Sequence, residues 1–593
     1  MAAVVVRAAT TTTTKGFGPA GRTVRIRAPR LRGRGWLNSP GLDLQQLRGR
    51  WVMLDFWTGA CVNCVHVLDE LRPLERQFAD VLTVIGVHSP KFPYEATASA
   101  VANAVERYRV EHPVLDDADL LTWDAYAVNA WPTLVLIDPD GYVVAQVSGE
   151  GHVPELAGLI SEKLEDGVPA SVPPAPVRVE SPQGLRFPGG LVALSDGEVL
   201  TSDTGNQRLL LGQKHIGSGI RGFVDGPAGT AQFADPLGAA VLPPDVAAKA
   251  GYDVVIADSG NDALRGLRLD DLSVSTVATG ISTPGDVAWF DSRIVVAGIG
   301  RHQLWSVDPA CGEVQVYAGT GKEGLVDGPA EKAWFAQPSG LSVDFRGLWI
   351  VDAESSALRL LYRADDGSLQ VRTAIGQGLF EFGQDDGPAW DARLQHPLGV
   401  QALPDGKIAV ADTFNGSVRA YDPITDQVTT LLTGLGEPSA LTIVLNQLWV
   451  ADAGQHQVHR LEGGWDEPAG PAPVQQSVAD LDPEGAQVTV RFTPPPGEET
   501  DTRDGDPTWL EITAQPASLL EQGAGGERGL NRRIAFAGEL SGGRVNGRLL
   551  VEARAASCDI SQEAGAVCHL HRRRWEIPVR LIPGSTTELD LKL

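Results

Sequence analysis

Two cysteines separated by two residues could carry redox chemistry in this chain. An apolar segment, 51–56, precedes them, and apolar residues recur at helical spacing from Val65 to Phe78. Cys61 and Cys64 are therefore predicted in the first turn of a helix. Unpaired backbone N–H groups and the positive end of the helix dipole favour a thiolate there. Cys61 is predicted to be the exposed, attacking sulfur, and Cys64 to resolve a mixed disulfide formed on it.

The residues around this pair resemble the thioredoxin superfamily. Asp55 matches the buried acid that relays a proton to the resolving cysteine in that superfamily, and Trp57 matches the aromatic residue beside the site. The segment 131–133 resembles the one whose cis proline faces the cysteines, so Pro132 is predicted to be cis, which is uncommon before proline. The resemblance implies that Asp55 accepts a proton and that Trp57 and Pro132 form the substrate-facing surface. It also implies an extra helix and strand in 89–117, as in larger redoxins.

Other interpretations of the cysteine pair remain open at this point. Cys61 and Cys64 could be half of a structural zinc site, although such a site needs a second ligand pair and His66 points elsewhere on the helix. They could also be inert. Thr58, three residues before Cys61, echoes the Thr-x-x-Cys of peroxiredoxins, which would make the chain a peroxide reductase.

Length, charge and cysteine content narrow the function classes. A chain of 593 residues should form several domains, and its formal charge of −26 disfavours nucleic acid as a main partner. No apolar run approaches the ~20 residues of a membrane helix, so no membrane insertion is expected. Five cysteines and no export signal predict a cytoplasmic location. Residues 1–34 carry eight Arg or Lys and no acid, which suits a disordered tail or, alternatively, an organelle transit peptide.

A repeat occupies the middle of the chain. Six segments begin near a proline and an apolar strand, and most reach a second strand that ends in an Asp-containing turn; their openings are Pro188, Pro236, Pro284, Pro338, Pro397 and Pro438. Such a period predicts one four-stranded blade each and hence a six-bladed β-propeller. The repeats resemble NHL repeats. With the redoxin ahead of them, they resemble the thioredoxin-like, NHL-repeat-containing proteins of the NHL-repeat-containing protein 2 type, from residue 27 to the C-terminus.

Three loops between blades also repeat one another. Each contains Asp-Gly-Pro, at 225–227, 327–329 and 386–388. The three acids could gather a cation near the propeller axis, although Asp-Gly is also a common turn dipeptide.

Short alternating strands after residue 478 predict a C-terminal β-sandwich. Cys558 and Cys568 flank a predicted turn, 562–566, so a hairpin could bring them within disulfide distance. This arrangement resembles the N-terminal domain of bacterial thiol:disulfide interchange proteins, which implies that the two cysteines exchange electrons with Cys61 and Cys64. Two unpaired or structurally bonded cysteines are the alternative.

The sequence thus predicts a multidomain protein with an α/β domain followed by two all-β domains. The predicted boundaries are a basic tail 1–26, a thioredoxin-like domain 27–164, a linker 165–177, a propeller 178–462, a linker 463–477 and a β-sandwich 478–593. The predicted function is thiol-disulfide oxidoreduction without a metal or organic cofactor, on a protein partner that the propeller recognises or positions. The alternatives are a non-catalytic interaction scaffold and a peroxide reductase.

Overall fold

The computed structural model describes residues 25–164, 184–461 without 196 and 365, and 474–593 without 497, 501–505, 507, 538–544 and 560–567. The predicted linker 165–177 and nearly all of the predicted tail 1–26 lie outside these residues. The chain forms two compact units, 1–187 and 188–593. None of the helices in the described ranges is long and apolar enough to cross a membrane.

The first unit contains a mixed sheet and four described helices. Its elements are β1 Ile26–Arg27, β2 Gly35–Leu37, β3 Trp51–Trp57, α1 Val62–Gln77, β4 Leu82–His88, α2 Ala98–Arg107, β5 Val114–Asp116, α3 Leu121–Ala125, β6 Thr133–Ile137, β7 Tyr142–Ser148 and α4 Val153–Leu164. The strands follow the order β1-β7-β6-β3-β4-β5-β2. Strands β3, β4 and β5 are parallel, and β6 is antiparallel to β3. This is the thioredoxin-like α/β arrangement that the resemblance implies.

Strand β3 lies at the centre of this sheet and positions the cysteines. All seven of its residues are buried, as expected for an apolar strand covered on both faces. Helix α1 packs on one face through Val67, Leu71 and Leu74. Strand β3 therefore delivers the loop 58–61 to the carboxyl edge of the sheet, where ligands and chemistry collect in open α/β folds. The predicted extra helix and strand are present as α2 and β5.

Six small antiparallel sheets follow in the described part of 188–461. Blade by blade, the strands are β8 Gly190–Ala193, β9 Val199–Asp203, β10 Arg208–Leu211, β11 Lys214–Ile216; β12 Pro236–Val241, β13 Val254–Asp258, β14 Ala263–Leu267, β15 Val274–Thr279; β16 Pro284–Phe290, β17 Arg293–Gly298, β18 Gln303–Val307, β19 Val314–Ala318; β20 Gly328–Pro329, β21 Pro338–Asp344, β22 Gly347–Asp352, β23 Ala357–Arg363, β24 Leu369–Ile375; β25 Gly387–Pro388, β26 Gly399–Ala402, β27 Ile408–Asp412, β28 Ser417–Asp422, β29 Gln427–Leu432; β30 Pro438–Val444, β31 Gln447–Asp452, β32 Gln457–Leu461. A short helix, α5 Pro244–Ala250, connects β12 to β13.

These sheets close into a propeller. The inner strands β8, β12, β16, β21, β26 and β30 contact one another in turn, and β30 contacts β8. At that junction the hydroxyl of Ser439 donates a hydrogen bond to the carbonyl of Pro188 at 2.6 Å. The six inner strands line a central cavity of about 300 Å³. The predicted six-bladed propeller is confirmed.

The acids of the three repeated loops hold arginines, which argues against the cation hypothesis. In the second blade the buried Arg265 bonds Asp225 at 2.6 Å and Asp258 at 2.8 Å. Asp225 also accepts the backbone N–H and the hydroxyl proton of Thr276, both at 3.0 Å. We call this arrangement the Asp–Arg–Asp network; it recurs as Asp327–Arg359–Asp352 and Asp386–Arg419–Asp412. The loop acids therefore tie the strands of their own blades together.

The C-terminal domain has two packed sheets. Its described strands are β33 Val474–Gln475, β34 Ala479–Leu481, β35 Ala486–Arg491, β36 Glu498–Thr500, β37 Trp509–Gln515, β38 Leu520–Gln522, β39 Gly525–Arg528, β40 Asn531–Phe536, β41 Gly547–Asp559, β42 Cys568–Leu581 and β43 Glu588–Lys592. One sheet is built on β41 and β42 and the other on β35 and β40, and both contribute to one apolar core. Strand β33 lies inside the predicted linker 463–477 and pairs with β42, so this domain begins before residue 478.

Candidate redox site

The cysteine pair opens helix α1. Cys61 is the N-cap residue, with extended backbone, and its sulfur accepts a hydrogen bond from the backbone N–H of Cys64 at 3.2 Å. Both cysteines are free thiols. Cys61 keeps 9% of its surface exposed and Cys64 none. Cys61 is thus the more accessible sulfur, although it is more enclosed than the sequence suggested.

The second thiol lies beside a buried acid. Burial raises the pKa of Cys64 well above its usual value, and its hydrogen bond to Cys61 and the nearby charges of Cys61 and Asp55 add to that rise. Burial also raises the pKa of Asp55 to about 8, with a smaller contribution from the charge of Glu75. Neither carboxyl oxygen of Asp55 has a hydrogen-bond partner among the described residues. Burial therefore favours the neutral form of Asp55 at pH 7, while the ionised fraction that remains can take up a proton from a thiol.

The loop between α3 and β6 contains the predicted proline. The Trp131–Pro132 peptide bond is cis, as the resemblance predicts. Trp131 is half-buried and packs against Trp123 at a centroid distance of 4.3 Å, with the rings tilted by 31°. It donates its indole N–H to the carbonyl of Ser89. Pro132 is itself buried, which corrects the interpretation that it faces a substrate. Trp131 is therefore the residue of this loop that can offer an apolar surface to a partner.

Trp57 does not belong to that surface, which corrects the sequence interpretation. Its side chain is 0% exposed, because β3 is a central strand. Its ring packs edge-on against His88 and Tyr108. Trp57 supports the core beneath the cysteines, and the accessible aromatic residue near Pro132 is Trp131.

Sequence reasoning missed the residues that hold the loop before Cys61. Glu95 accepts hydrogen bonds from the hydroxyl of Thr58 and from the backbone N–H of Ala60. The hydroxyl of Tyr108 donates to the carbonyl of Gly59 at 3.0 Å. Both side chains come from the inserted segment that contains α2. No local periodicity marks Glu95, so only the tertiary structure brings it to the site.

Comparison with known proteins identifies the family. Residues 49–143 match the model of the family described as thioredoxin-like. NHL repeat-containing protein 2 of Bos taurus is 32% identical over 520 residues, which cover 72% of this chain and 69% of that protein. The chain belongs to the NHL repeat-containing protein 2 family. The order of redoxin, NHL propeller and C-terminal β-domain is therefore the architecture of the family as well as of this chain.

Two further relatives match this chain over different shares of their own length. Protein SUPPRESSOR OF QUENCHING 1, chloroplastic, of Arabidopsis thaliana is 33% identical over 496 residues, or 72% of this chain. The chain spans only 46% of that relative's length. Thiol-disulfide oxidoreductase ResA of Bacillus thuringiensis (strain Al Hakam) is 30% identical over 126 residues, which cover 21% of this chain and 70% of ResA.

The second cysteine pair of this family member is described by its backbone only. Cys558 on β41 is the register partner of Cys568 on β42. Directly opposed residues of antiparallel strands have Cα atoms about 4.5–5.5 Å apart, within the range of a disulfide. The predicted turn 562–566 and both cysteine side chains lie outside the described residues.

Proposed function

We propose that this chain is a thiol-disulfide oxidoreductase. The observation that carries the proposal is the free Cys61–Cys64 pair at the start of α1, with Asp55 near enough to raise the pKa of Cys64. The cis Pro132 adds support, because its neighbour Trp131 packs against the cluster that contains both cysteines. The name of ResA, whose similarity covers the redoxin, supports the same reaction class. The chain spans only part of the length of its longer relatives. The partner and the direction of electron flow are therefore proposed here from this chain's own residues.

The proposed cycle uses only side chains of this chain and a partner disulfide. The Cys61 thiolate attacks one partner sulfur, the partner S–S bond breaks, and the departing sulfur takes a proton from solvent. Cys64 then gives its proton to ionised Asp55, the proposed base, and attacks the Cys61 sulfur of the mixed disulfide. The second partner thiolate leaves and is protonated. Written in this direction, the cycle gives two electrons to the partner and leaves Cys61 and Cys64 as a disulfide; the reverse sequence oxidises a partner dithiol.

A redox titration tests this proposal. The full chain is equilibrated in dithiothreitol buffers of graded potential, and the Cys61–Cys64 disulfide is quantified by mass spectrometry of peptides. We expect one reversible two-electron transition between about −120 and −270 mV. Cys61→Ser should remove it and should also abolish turnover of a small disulfide substrate. A chain that shows no reversible transition would refute the proposal.

The proposed role of the propeller is to recognise the partner. In an antiparallel propeller, the loops between blades and the turns between second and third strands lie at the same end. Large apolar side chains exposed in these inter-blade loops support recognition at that end; they are Ile220, Phe223, Val224, Val326, Phe380 and Trp390.

Cys558 and Cys568 are proposed as a second redox pair that exchanges electrons with Cys61 and Cys64. Their opposed register on β41 and β42 supports this role. In a Cys558→Ser/Cys568→Ser double variant, we expect the potential of Cys61–Cys64 to stay unchanged while steady-state turnover falls at least tenfold. If the wild type and the double variant turned over equally fast, Cys558 and Cys568 would have at most a structural role.

Two alternative functions have less support. A scaffold that does no redox chemistry does not account for the free thiols beside a neutral buried acid. A peroxide reductase would use Thr58 beside the reacting sulfur, but the hydroxyl proton of Thr58 is donated to Glu95. We therefore favour disulfide exchange over both.

The proposed location of the protein is the cytoplasm, with an organelle as the alternative. Free cysteines suit a reducing compartment such as the cytoplasm. The name of the Arabidopsis relative places that protein in the chloroplast, and residues 1–34 are rich in Arg and Lys. Fluorescence microscopy of the chain with and without residues 1–34 distinguishes the two locations.

A further inference from the structure

The loop that carries Cys61 is fixed by one buried carboxylate. Glu95 is 3% exposed and lies in a 3₁₀ turn, Pro93–Ala96, of the inserted segment. Its Oε1 accepts the hydroxyl proton of Thr58 and the N–H of Ala60, the latter at 2.9 Å. Its Oε2 accepts the N–H groups of Lys91 and Phe92, both at 3.1 Å. Glu95 thus joins the loop before Cys61 to the inserted segment.

The hydrogen bonds of Glu95 match its ionised form. Three partners are backbone N–H groups, which can only donate, and the fourth is the hydroxyl of Thr58. A carboxylate with four donors uses all its lone-pair sites, whereas a protonated carboxyl would lose one of them. Burial raises the pKa of Glu95 above its usual value, and the four donors limit that rise. A negative charge is therefore held inside the loop that leads to the nucleophile.

This charge opposes the field of helix α1 at Cys61. The helix dipole and the N–H of Cys64 favour a thiolate on Cys61, while a neighbouring carboxylate disfavours it. A pair whose thiolate is less stable has a lower reduction potential, since a stabilised reduced form makes a disulfide a stronger oxidant. Glu95 therefore shifts the pair towards donating electrons.

We propose that Glu95 is a positioning residue that sets the reducing strength of the Cys61–Cys64 pair, and that the chain acts as a reductant of partner disulfides. This inference rests on the proposed function, because it assigns a direction to the same reaction. Glu95 binds the loop 58–60 through Thr58 and Ala60, and its charge acts on Cys61 across that loop.

Tyr108 provides a matched control within the same loop. Its hydroxyl donates to the carbonyl of Gly59 at 3.0 Å, so Tyr108→Phe removes a hydrogen bond from the loop without changing any charge. Glu95→Gln removes the charge and keeps the size of the side chain. If Glu95 acts only by holding the loop in place, both variants should disturb the site alike.

The experiment measures two properties of the full chain. The first is the equilibrium between the dithiol and disulfide forms of Cys61–Cys64 in dithiothreitol buffers. The second is the rate at which iodoacetamide alkylates Cys61 as a function of pH, followed peptide by peptide because Cys311 is exposed and also reacts. We expect Glu95→Gln to shift the equilibrium at least tenfold towards the dithiol, or about 30 mV for a two-electron couple. The midpoint of the alkylation profile should move to lower pH.

Each outcome decides the inference. The inference is supported if the dithiol–disulfide equilibrium constant changes less than threefold in Tyr108→Phe and shifts at least tenfold in Glu95→Gln. Equal shifts in both variants, or none in Glu95→Gln, overturn it. A wild-type chain without a reversible couple refutes the proposed function instead, and the alkylation profile then still reports on Glu95. If Glu95→Gln does not fold, Thr58→Val leaves the charge but removes a donor, and it should move the alkylation midpoint to higher pH; an unchanged midpoint counts against the inference.

Discussion

Asp55→Asn is expected to stabilise the first domain while it slows the redox cycle. Asp55 is 0% exposed, and burial raises its pKa in the folded chain from 3.8 to about 8. When the pKa of an acid is higher in the folded than in the unfolded chain, the acid adds most to the free energy of unfolding below its unfolded pKa. That contribution is lost as the pH rises towards the folded pKa. Each pKa unit is worth about 1.4 kcal/mol, so the loss between pH 4 and pH 7 approaches about 4 kcal/mol. Asparagine does not titrate and avoids this loss.

Amide hydrogen exchange of strand β3 measures this difference. At pH 7 the Asp55→Asn variant should be more stable than the wild type by up to about 4 kcal/mol, and the gap should shrink as the pH is lowered to 4. Asp117→Asn is the matched control. Asp117 is also fully buried, but it accepts the backbone N–H groups of Thr122 and Trp123, so its replacement should destabilise the domain. If the difference in free energy of unfolding between Asp55→Asn and the wild type did not change with pH, titration of Asp55 would not be its cause.

The catalytic consequence has the opposite sign. The pKa of Cys64 is raised well above that of an ordinary thiol, so the resolving step needs a base. General bases contribute roughly 10²–10⁴-fold, and we expect Asp55→Asn to slow release of the mixed disulfide at pH 7 by at least tenfold. The deficit should narrow at high pH, where hydroxide can deprotonate Cys64. Stopped-flow measurement of release from the Cys61 mixed disulfide checks this, with Asp117→Asn expected to react like the wild type.

The sequence predicted those parts of the molecule that local patterns encode. The strand before Cys61, the helix after it and the proline openings of the blades are short, contiguous signals. Burial of Trp57 was missed because it depends on which strand lies at the centre of the sheet, which no local pattern reveals. Glu95 was missed because it reaches Thr58 across 37 residues of chain.

The Asp–Arg–Asp networks show the same limit in the propeller. The sequence revealed the loop acids as a repeat, but without the arginines of the third strands. It did not pair them, because Asp225 and Arg265 lie 40 residues apart in the chain. The cation hypothesis followed from treating the acids alone.

Arg359→Leu is expected to destabilise the fourth blade by about 3–5 kcal/mol, the range for breaking one side of a buried ion pair. Arg359 is fully buried and bonds Asp327 at 2.8 Å and the fully buried Asp352 at 3.5 Å. It also donates to the carbonyls of Val326 and Trp334. Leucine leaves the Asp352 charge buried without its cation.

The loss should depend on pH. Burial raises the pKa of Asp352 to about 6 even though Arg359 acts in the opposite direction, and removal of the arginine raises it further. At pH 5 the folded variant can protonate Asp352 and so avoid a buried charge. At pH 8 it cannot, so the free energy of unfolding should fall further below that of the wild type at pH 8 than at pH 5. Amide exchange of strands β21 to β23 at both pH values measures this. Arg363→Leu is the control on the same strand, since Arg363 pairs with Asp291 at the surface and should cost less than about 1 kcal/mol.

The third blade indicates how the network can be replaced as a unit. There Gly298 and Trp305 occupy the positions of Asp352 and Arg359, and the indole ring of Trp305 fills the space beside the glycine. An Asp352→Gly/Arg359→Trp double variant should therefore be more stable than Arg359→Leu, since no buried charge is left unpaired, and its stability should not differ between pH 5 and pH 8. If the double variant were as unstable as Arg359→Leu at both pH values, loss of the arginine's bonds to Asp327 and the loop carbonyls would be the cause. The unpaired Asp352 charge would then not account for the loss.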